Sequence, residues 1–280
     1  MSLKAVDKIS FFLSVIGLFM IFFTQITLLL KIEIYGYTTI VWYGYIFLVD
    51  GVIFRLRKDS LIINHFKKFL LLVGLSVIFW LLFELYNIFL HGWYYYIVGN
   101  LLWLRYILAF SSILPAVFET TDLIKTLNLF HKVRFHKIRI SKKLIHLSII
   151  LGIIFLILPI FFSSEYMWAL VWIGFVLLLD PINYLYHERS LISDLKRGNL
   201  KNLISLFIAG YICGFLWEFW NYWNIHKWIY TVPILDSIKI FEIPFLGFFA
   251  YGFFAWELYV MYYFMKLLIP KKIETELGLT

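Results

Sequence analysis

The sequence predicts an all-α, polytopic integral membrane protein whose eight transmembrane helices form two parallel four-helix repeats. Three observations predict it: a composition too apolar for a water-facing surface, eight apolar runs of bilayer length, and a likeness between the two halves of the chain. Of the 280 residues 62% are hydrophobic and only 15% are charged, and mean hydropathy is +0.86. A soluble fold of this size needs polar residues for its surface, so most of this surface faces lipid. The same figures exclude disordered and collagen-like chains, and the single Cys213 excludes a disulfide scaffold. Aromatic residues make up 21% of the chain, more rings than lipid exposure alone requires.

Crossing the hydrocarbon core takes about 20 apolar residues as a helix. Such runs cover 9–30, 35–54, 69–91, 98–119, 145–163, 166–185, 202–224 and 243–267. The first follows Lys4 and Lys8, as a signal peptide would, but it is too long and lacks a small-residue cleavage site, so it reads as a membrane helix. The second and sixth end in Asp50 and Asp180. The third carries Glu84 and Asn87, the fourth Glu119, and 120–144 is a basic connector with no appended domain. The seventh carries Glu218 and Asn221. The eighth starts at Pro244, which suits the first turn of a helix, and leaves 236–243 as an interfacial segment before a helix that contains Glu257.

Orientation follows from charge. With the N-terminus in the cytoplasm, all of the 25 Lys and Arg except Lys31, Arg105, Lys227 and Lys239 fall on the cytoplasmic side. That positive-inside pattern predicts a multi-pass protein of the inner or plasma membrane with both termini cytoplasmic. The net charge of +8 therefore reads as topology and attraction to anionic headgroups, not as nucleic-acid binding. Membrane lipids are the implied partners, and nothing in the sequence indicates an oligomeric state.

The halves, 1–135 and 136–280, resemble each other. Trp42, Gly44, Leu48, Asp50, Ser60, Leu61 and Ile62 recur in order and at one constant offset as Trp172, Gly174, Leu178, Asp180, Ser190, Leu191 and Ile192. Glu84, Asn87, Trp93 and Tyr95 recur as Glu218, Asn221, Trp228 and Tyr230, and Arg105 has Lys239 as its counterpart. Four helices per half make the repeats parallel, with a pseudo-twofold axis along the membrane normal and a site between them.

An ionisable group inside a bilayer costs at least a few kcal/mol, so each one asks for a partner or a purpose. The i, i+3 spacing places Glu84 with Asn87, and Glu218 with Asn221, on one helix face. If these carboxylates meet across the axis, their repulsion holds a proton on one of them, which is how such a site obtains a general acid. The competing reading is a clamp in which Arg105 pairs with Glu84, Lys239 pairs with Glu218, and the asparagines stitch helices together. Asp50 and Asp180 read as interfacial carboxylates satisfied beside basic residues. Glu119 and Glu257 lie in the cytoplasmic half of their helices, Glu257 the deeper.

Aromatic residues crowd the same places. Trp80, Phe83, Tyr86, Trp93 and Tyr95 surround the first Glu-x-x-Asn, and Trp217, Trp220, Trp228 and Tyr230 surround the second. An interfacial belt accounts for Trp93, Tyr95, Trp228 and Tyr230; deeper rings such as Trp80 and Trp217 suit the walls of an apolar cavity and the stabilisation of a cationic intermediate. Glu84, Asn87 and His91 share a face, yet with no second histidine at ligand spacing no metal is expected. The histidines at 65, 131, 136, 146 and 187 read as solvated. Gly210 and Gly214 read as helix packing, and no phosphate loop, nucleophile elbow or other cofactor motif appears.

The run Gly214-Phe-Leu-Trp217-Glu218-Phe-Trp-Asn221, with Lys227-Trp228-Ile-Tyr230 and Phe241-Glu242-Ile-Pro244 after it, resembles a prokaryotic family of polytopic membrane proteins with no assigned activity. More distantly, a duplicated helical unit with intramembrane glutamates and a Trp-x-Tyr before a proline-started helix is similar to lycopene-cyclase-type carotenoid proteins. Their Pro-x-Glu-Glu motif is replaced here by Pro244-Phe-Leu-Gly247. The leading expectation is a protein that binds an apolar isoprenoid or other lipid, with or without modifying it by acid catalysis, Glu84 and Glu218 being the acids and Asn87 and Asn221 orienting them. A proton-coupled carrier using the same carboxylates and a non-catalytic scaffold remain open beside it.

Overall fold

A computed structural model describes residues 3–96, 102–130, 132–232 and 238–278, with side chains from residue 6 onward. Asp236, His131 and the first residues of the run at 98–119 lie outside the described residues.

The chain folds into α1 (Leu3–Leu29), α2 (Tyr37–Arg57), the short α3 (Leu61–Asn64), α4 (Phe66–Leu90), β1 (Trp93–Tyr96), α5 (Leu102–Phe110) and α6 (Ile113–Thr126). The remainder supplies α7 (Lys142–Phe161), α8 (Trp168–Leu185), α9 (Leu191–Arg197), α10 (Lys201–Trp223), β2 (Lys227–Tyr230), β3 (Lys239–Ile240), β4 (Ile243–Pro244), α11 (Phe245–Phe248), α12 (Ala250–Leu268) and α13 (Lys271–Glu276). Among the described residues eight stretches are long and apolar enough to cross a membrane, α5 with α6 and α11 with α12 each making one of them. The protein is an all-α, multi-pass membrane protein. Its outer face is apolar, as Phe19 (67% exposed), Trp103 (77%) and Phe161 (76%) illustrate; rings left that open belong against lipid tails, not water.

Helices α1 and α7 sit outside, packed on α2 and α8. Inside them α10 touches both α6 and α12, and α12 also packs on α8. The core between these helices is built from Val41, Leu72, Phe83, Leu114, Leu206 and Leu258, all fully or almost fully buried.

The fourth span is broken rather than continuous. Pro115 has no N–H to donate, and the Ser111 and Ser112 hydroxyls turn back onto the carbonyls of Leu108 and Ala109, both at 2.7 Å. Ser76 of α4 enters the gap, donating to the Phe110 carbonyl at 2.5 Å and accepting from Leu114 N–H at 2.9 Å. Backbone groups freed in a membrane helix need such a substitute.

Two departures from the expected interior stand out. First, four short strands are present among the described residues. β1 and β2 pair antiparallel, with Trp93 opposite Tyr230, Tyr94 opposite Ile229, Tyr95 opposite Trp228 and Tyr96 opposite Lys227. β3 and β4 form a minimal hairpin just ahead of the last span, which begins immediately after Pro244. Secondly, Asp50 and Asp180 are buried and are not held by basic residues. Asp50 accepts from Ile62 N–H at 2.7 Å and the Ser60 hydroxyl at 2.9 Å; Asp180 accepts from the N–H groups of Leu191 at 2.7 Å and Ile192 at 2.9 Å. Each carboxylate therefore fastens the start of the next short helix to the long helix before it, which is the capping job that orphan N–H groups require.

Removing that carboxylate strands two N–H groups. Asp180→Ala is expected to lose about 1–3 kcal/mol of stability, with Asp180→Asn recovering part of the loss, as read from thermal unfolding in detergent.

Candidate functional site

Both Glu-x-x-Asn motifs lie near the ends of long helices, one on α4 and one on α10, at the end of the molecule closed by the β1–β2 ribbon. The asparagines come first in the construction. Asn87 donates from Nδ2 to the Trp93 carbonyl at 2.9 Å, and its Oδ1 accepts from the N–H groups of Gly92 at 2.9 Å and Trp93 at 3.2 Å. Asn221 treats Trp228 in the same way, with Nδ2 to the carbonyl and Oδ1 to the N–H, both at 2.9 Å. A two-stranded ribbon leaves its outer edges without partners, and here each amide side chain closes one edge.

With both edges fixed, the pleat decides which side chains turn inward. Tyr94 and Tyr96 are exposed, while Trp93, Tyr95, Trp228 and Tyr230 line a cavity beneath the ribbon. From the ribbon the inner side chains reach the glutamates. Glu84 Oε1 accepts from Trp80 Nε1 at 2.9 Å, Trp93 Nε1 at 3.1 Å and the Tyr95 hydroxyl. Glu218 Oε1 accepts from the hydroxyls of Tyr230 at 2.8 Å and Tyr251 at 2.5 Å; its Oε2 is buried without a hydrogen-bond partner. Trp228 Nε1 donates to the Tyr230 oxygen at 2.9 Å.

Gly214 is what lets Tyr251 into this network. A Cβ at that position would stand 2.3 Å from the Tyr251 ring, so only hydrogen fits. Gly210 is tight for the same reason, its hypothetical Cβ lying 2.1 Å from the Tyr251 carbonyl. The packing role read from the spacing of these two glycines thus has a specific object: the close crossing of α10 and α12 that delivers one phenol to Glu218.

Burial, followed by the neighbouring carboxylate, pushes the phenols of Tyr95 and Tyr230 well above their ordinary range. Both stay protonated at neutral pH and act as donors to the carboxylates, so their place in an interfacial belt is the lesser part of what they do.

The cavity measures about 120 Å³ and lies between the halves. Trp80 and Trp217 stack inside it, with ring centres 5.5 Å apart and planes 29° apart; Trp42 meets Trp217 edge-on at 5.7 Å. Phe83 and Phe254 form the floor, and Arg105, His226 and Lys227 stand among the lining residues.

The expected acid pair and the expected ionic clamp are both replaced. Glu84 and Glu218 share no hydrogen-bond partner, because each is bound by its own ribbon phenol. No ion pair joins Glu84 to Arg105 or Glu218 to Lys239. Instead the Arg105 guanidinium lies over the Tyr35 ring at 4.8 Å, and Lys239 is exposed on β3. Lys227 pairs with Glu242.

Other candidates stand apart from the cavity. Trp220 is buried against Trp42, with ring centres 4.9 Å apart, and the Tyr86 hydroxyl donates to the Leu156 carbonyl at 3.0 Å. Glu257 is fully buried with neither oxygen hydrogen-bonded, and it does not line the cavity. Glu119 is likewise fully buried with neither oxygen hydrogen-bonded, and it too lies outside the cavity lining. Sequence reasoning missed Tyr251 and Trp42. The first had no signal in the sequence, since the small residue that admits it, Gly214, lies on another helix, and the second had none beyond its place in the repeated Trp-x-Gly.

Compared with protein-family models, with curated proteins and with solved structures, the chain finds no match.

The clamp can be tested by itself. Asn221→Ala is expected to cost about 1–3 kcal/mol by leaving the backbone of Trp228 unpaired at the ribbon edge. Asn221→Asp, which still accepts from the N–H, is expected to cost less; thermal unfolding followed by tryptophan fluorescence measures both.

Proposed function

We propose that the protein binds an apolar isoprenoid or other lipid in the aromatic cavity between its halves and modifies it by acid catalysis. The observation that carries this reading is the cavity itself: indole and phenyl walls, with two carboxylates, Glu218 buried and Glu84 half-buried, held behind phenols at its edge. At about 120 Å³ it approaches the size of an apolar cavity that admits a benzene ring, about 150 Å³. One ring-sized end of a lipid is therefore the part it takes, with the rest of the chain left outside.

Chemistry of this kind needs no electrons from elsewhere. A proton delivered from Glu84 or Glu218 by way of its phenol adds to a carbon–carbon double bond, and the resulting carbocation faces the π surfaces of Trp80 and Trp217. Loss of a proton from a neighbouring carbon to the same carboxylate completes an isomerisation. Where the π electrons of a second double bond first attack the cation, a ring carbon–carbon bond forms, the cation moves to the attacking alkene, and the same proton loss completes a cyclisation. Asn87 and Asn221 are positioning residues that fix the ribbon, and through it the phenols. Lycopene-cyclase-type proteins, which the sequence resembles distantly, supply the isoprenoid expectation.

The same reading treats the halves as repeats about a pseudo-twofold axis. What supports this is equivalent bonding: Asn87 with Trp93 and Asn221 with Trp228, Asp50 and Asp180 each fastening the following helix. The ribbon register also maps onto itself when Trp93 and Tyr95 exchange with Trp228 and Tyr230. Charge distribution supports an inner- or plasma-membrane location with both termini cytoplasmic, the ribbon then facing away from the cytoplasm. A second reading, proton-coupled transport, draws on Glu257, a fully buried carboxyl without a partner in the membrane interior.

Native extraction followed by mass spectrometry of co-purified lipids tests the site. Wild type is expected to retain an apolar lipid that Trp217→Ala loses, and Glu218→Gln to retain the same lipid with an altered ratio of substrate to product. A wild type that carries no apolar species, or variants with its lipid profile unchanged, would overturn the proposal.

A further inference from the structure

At the opposite end of the molecule from the ribbon lies a second cleft, of about 740 Å³. It is framed by the end of α6, the turn between α8 and α9, the start of α10 and the end of α12. Its walls carry Lys125, Arg189, Lys196 and Arg197, with His187 beside them.

The state of the charges is what distinguishes this cleft from an ordinary basic surface. Both carboxylates on its walls are already engaged: Glu188 pairs with Lys266 at 3.4 Å, and Asp194 accepts from Asn202 Nδ2 at 2.9 Å. None of Lys125, Arg189, Lys196 and Arg197 forms an ion pair among the described residues. Two of them are steadied by neutral rings instead: Arg189 donates to the Tyr263 hydroxyl at 3.3 Å, and Lys196 donates to the Tyr184 hydroxyl, its ammonium 4.7 Å from the ring centre. The corresponding turn after α2 is built differently. There Arg57 is paired with Asp122 at 2.8 Å and Lys58 with Asp7 at 2.7 Å.

Hydrogen bonds tie the wall together. Asp180 of α8 accepts from the N–H groups of Leu191 and Ile192 at the start of α9, and Asn183 of α8 donates to the Val260 carbonyl of α12 at 2.9 Å. Four cations that form no ion pair among the described residues, with Asp194 the acidic group nearest them and the hydroxyls of Ser193, Tyr184 and Tyr259 among them, match an anion of more than one negative charge with several acceptor oxygens.

We propose that this cleft binds a phosphate group. It does so independently of the aromatic cavity, whose lining it does not share. The phosphate belongs either to an anionic lipid headgroup or to a soluble phosphate compound, and the recognition chemistry is the same for both.

The full chain in detergent free of anionic lipid is titrated with inorganic pyrophosphate by calorimetry. In parallel it is reconstituted in nanodiscs of phosphatidylcholine with phosphatidylglycerol, and retained lipids are counted by native mass spectrometry. The variants are Arg189→Gln with Arg197→Gln, the exposed Arg197→Gln alone should the double variant fail to fold, and Lys271→Gln with Lys272→Gln as a control that removes as much charge at the same end but outside the cleft. Saturable pyrophosphate binding, weakened about tenfold or more by the cleft variants and unchanged in the control, supports a soluble phosphate ligand. Retained phosphatidylglycerol lost only in the cleft variants, without a pyrophosphate response, supports a headgroup. Equal effects of cleft and control variants, or no binding of either probe, overturns the proposal.

Discussion

Everything at the ribbon end of the protein depends on one interaction: the pairing of Trp93–Tyr96 with Lys227–Tyr230, closed at its two edges by Asn87 and Asn221. Two four-residue strands have little stability alone. They persist here because each outer edge meets an amide on a long helix that is already packed. The pleat then sends Trp93, Tyr95, Trp228 and Tyr230 to one side. That single geometric consequence creates the cavity roof, binds the glutamates, and joins segments from the two halves of the chain.

The carboxylates of the interior follow the same economy, Glu218 fully buried and Glu84 half-buried. Glu84 and Glu218 are neutralised by no cation; phenol and indole donors surround them instead, so the low-polarity site is kept without a desolvated ion pair. Asp50 and Asp180 are satisfied by backbone N–H groups. Glu119 and Glu257, both fully buried with neither oxygen hydrogen-bonded, depart from this pattern, and both lie apart from the aromatic cavity.

Much of this was legible in the sequence because apolar run length needs no knowledge of tertiary contacts. All eight expected spans correspond to helices, and Pro244 marks the start of the last. The polar residues were legible as positions but not as pairings. Glu84 and Asn87 stand out by spacing alone, yet Asn87 turns to the backbone of Trp93, and Glu84 to rings, rather than to Arg105. Trp93 and Tyr95 read as part of an interfacial belt because a strand this short exists only through a partner far along the chain. Likewise nothing local shows that Gly214 is small in order to admit Tyr251. The break at Ser111 and Ser112 had its signal in Pro115, but the residue that makes it tolerable, Ser76, comes from another helix.

Cross-linking across the ribbon tests its pairing most directly. Tyr94 and Ile229 are opposite each other, and partners in an antiparallel pair lie about 4.5–5.5 Å apart at Cα, within the reach of a disulfide. In a Cys213→Ala background, Tyr94→Cys with Ile229→Cys is expected to oxidise to an intramolecular disulfide. Cleavage in the connector between α6 and α7 should then leave the halves joined, while either single variant should come apart. Two thiols that both react with an alkylating reagent yet never form that bond would contradict the ribbon, and with it the roof of the cavity.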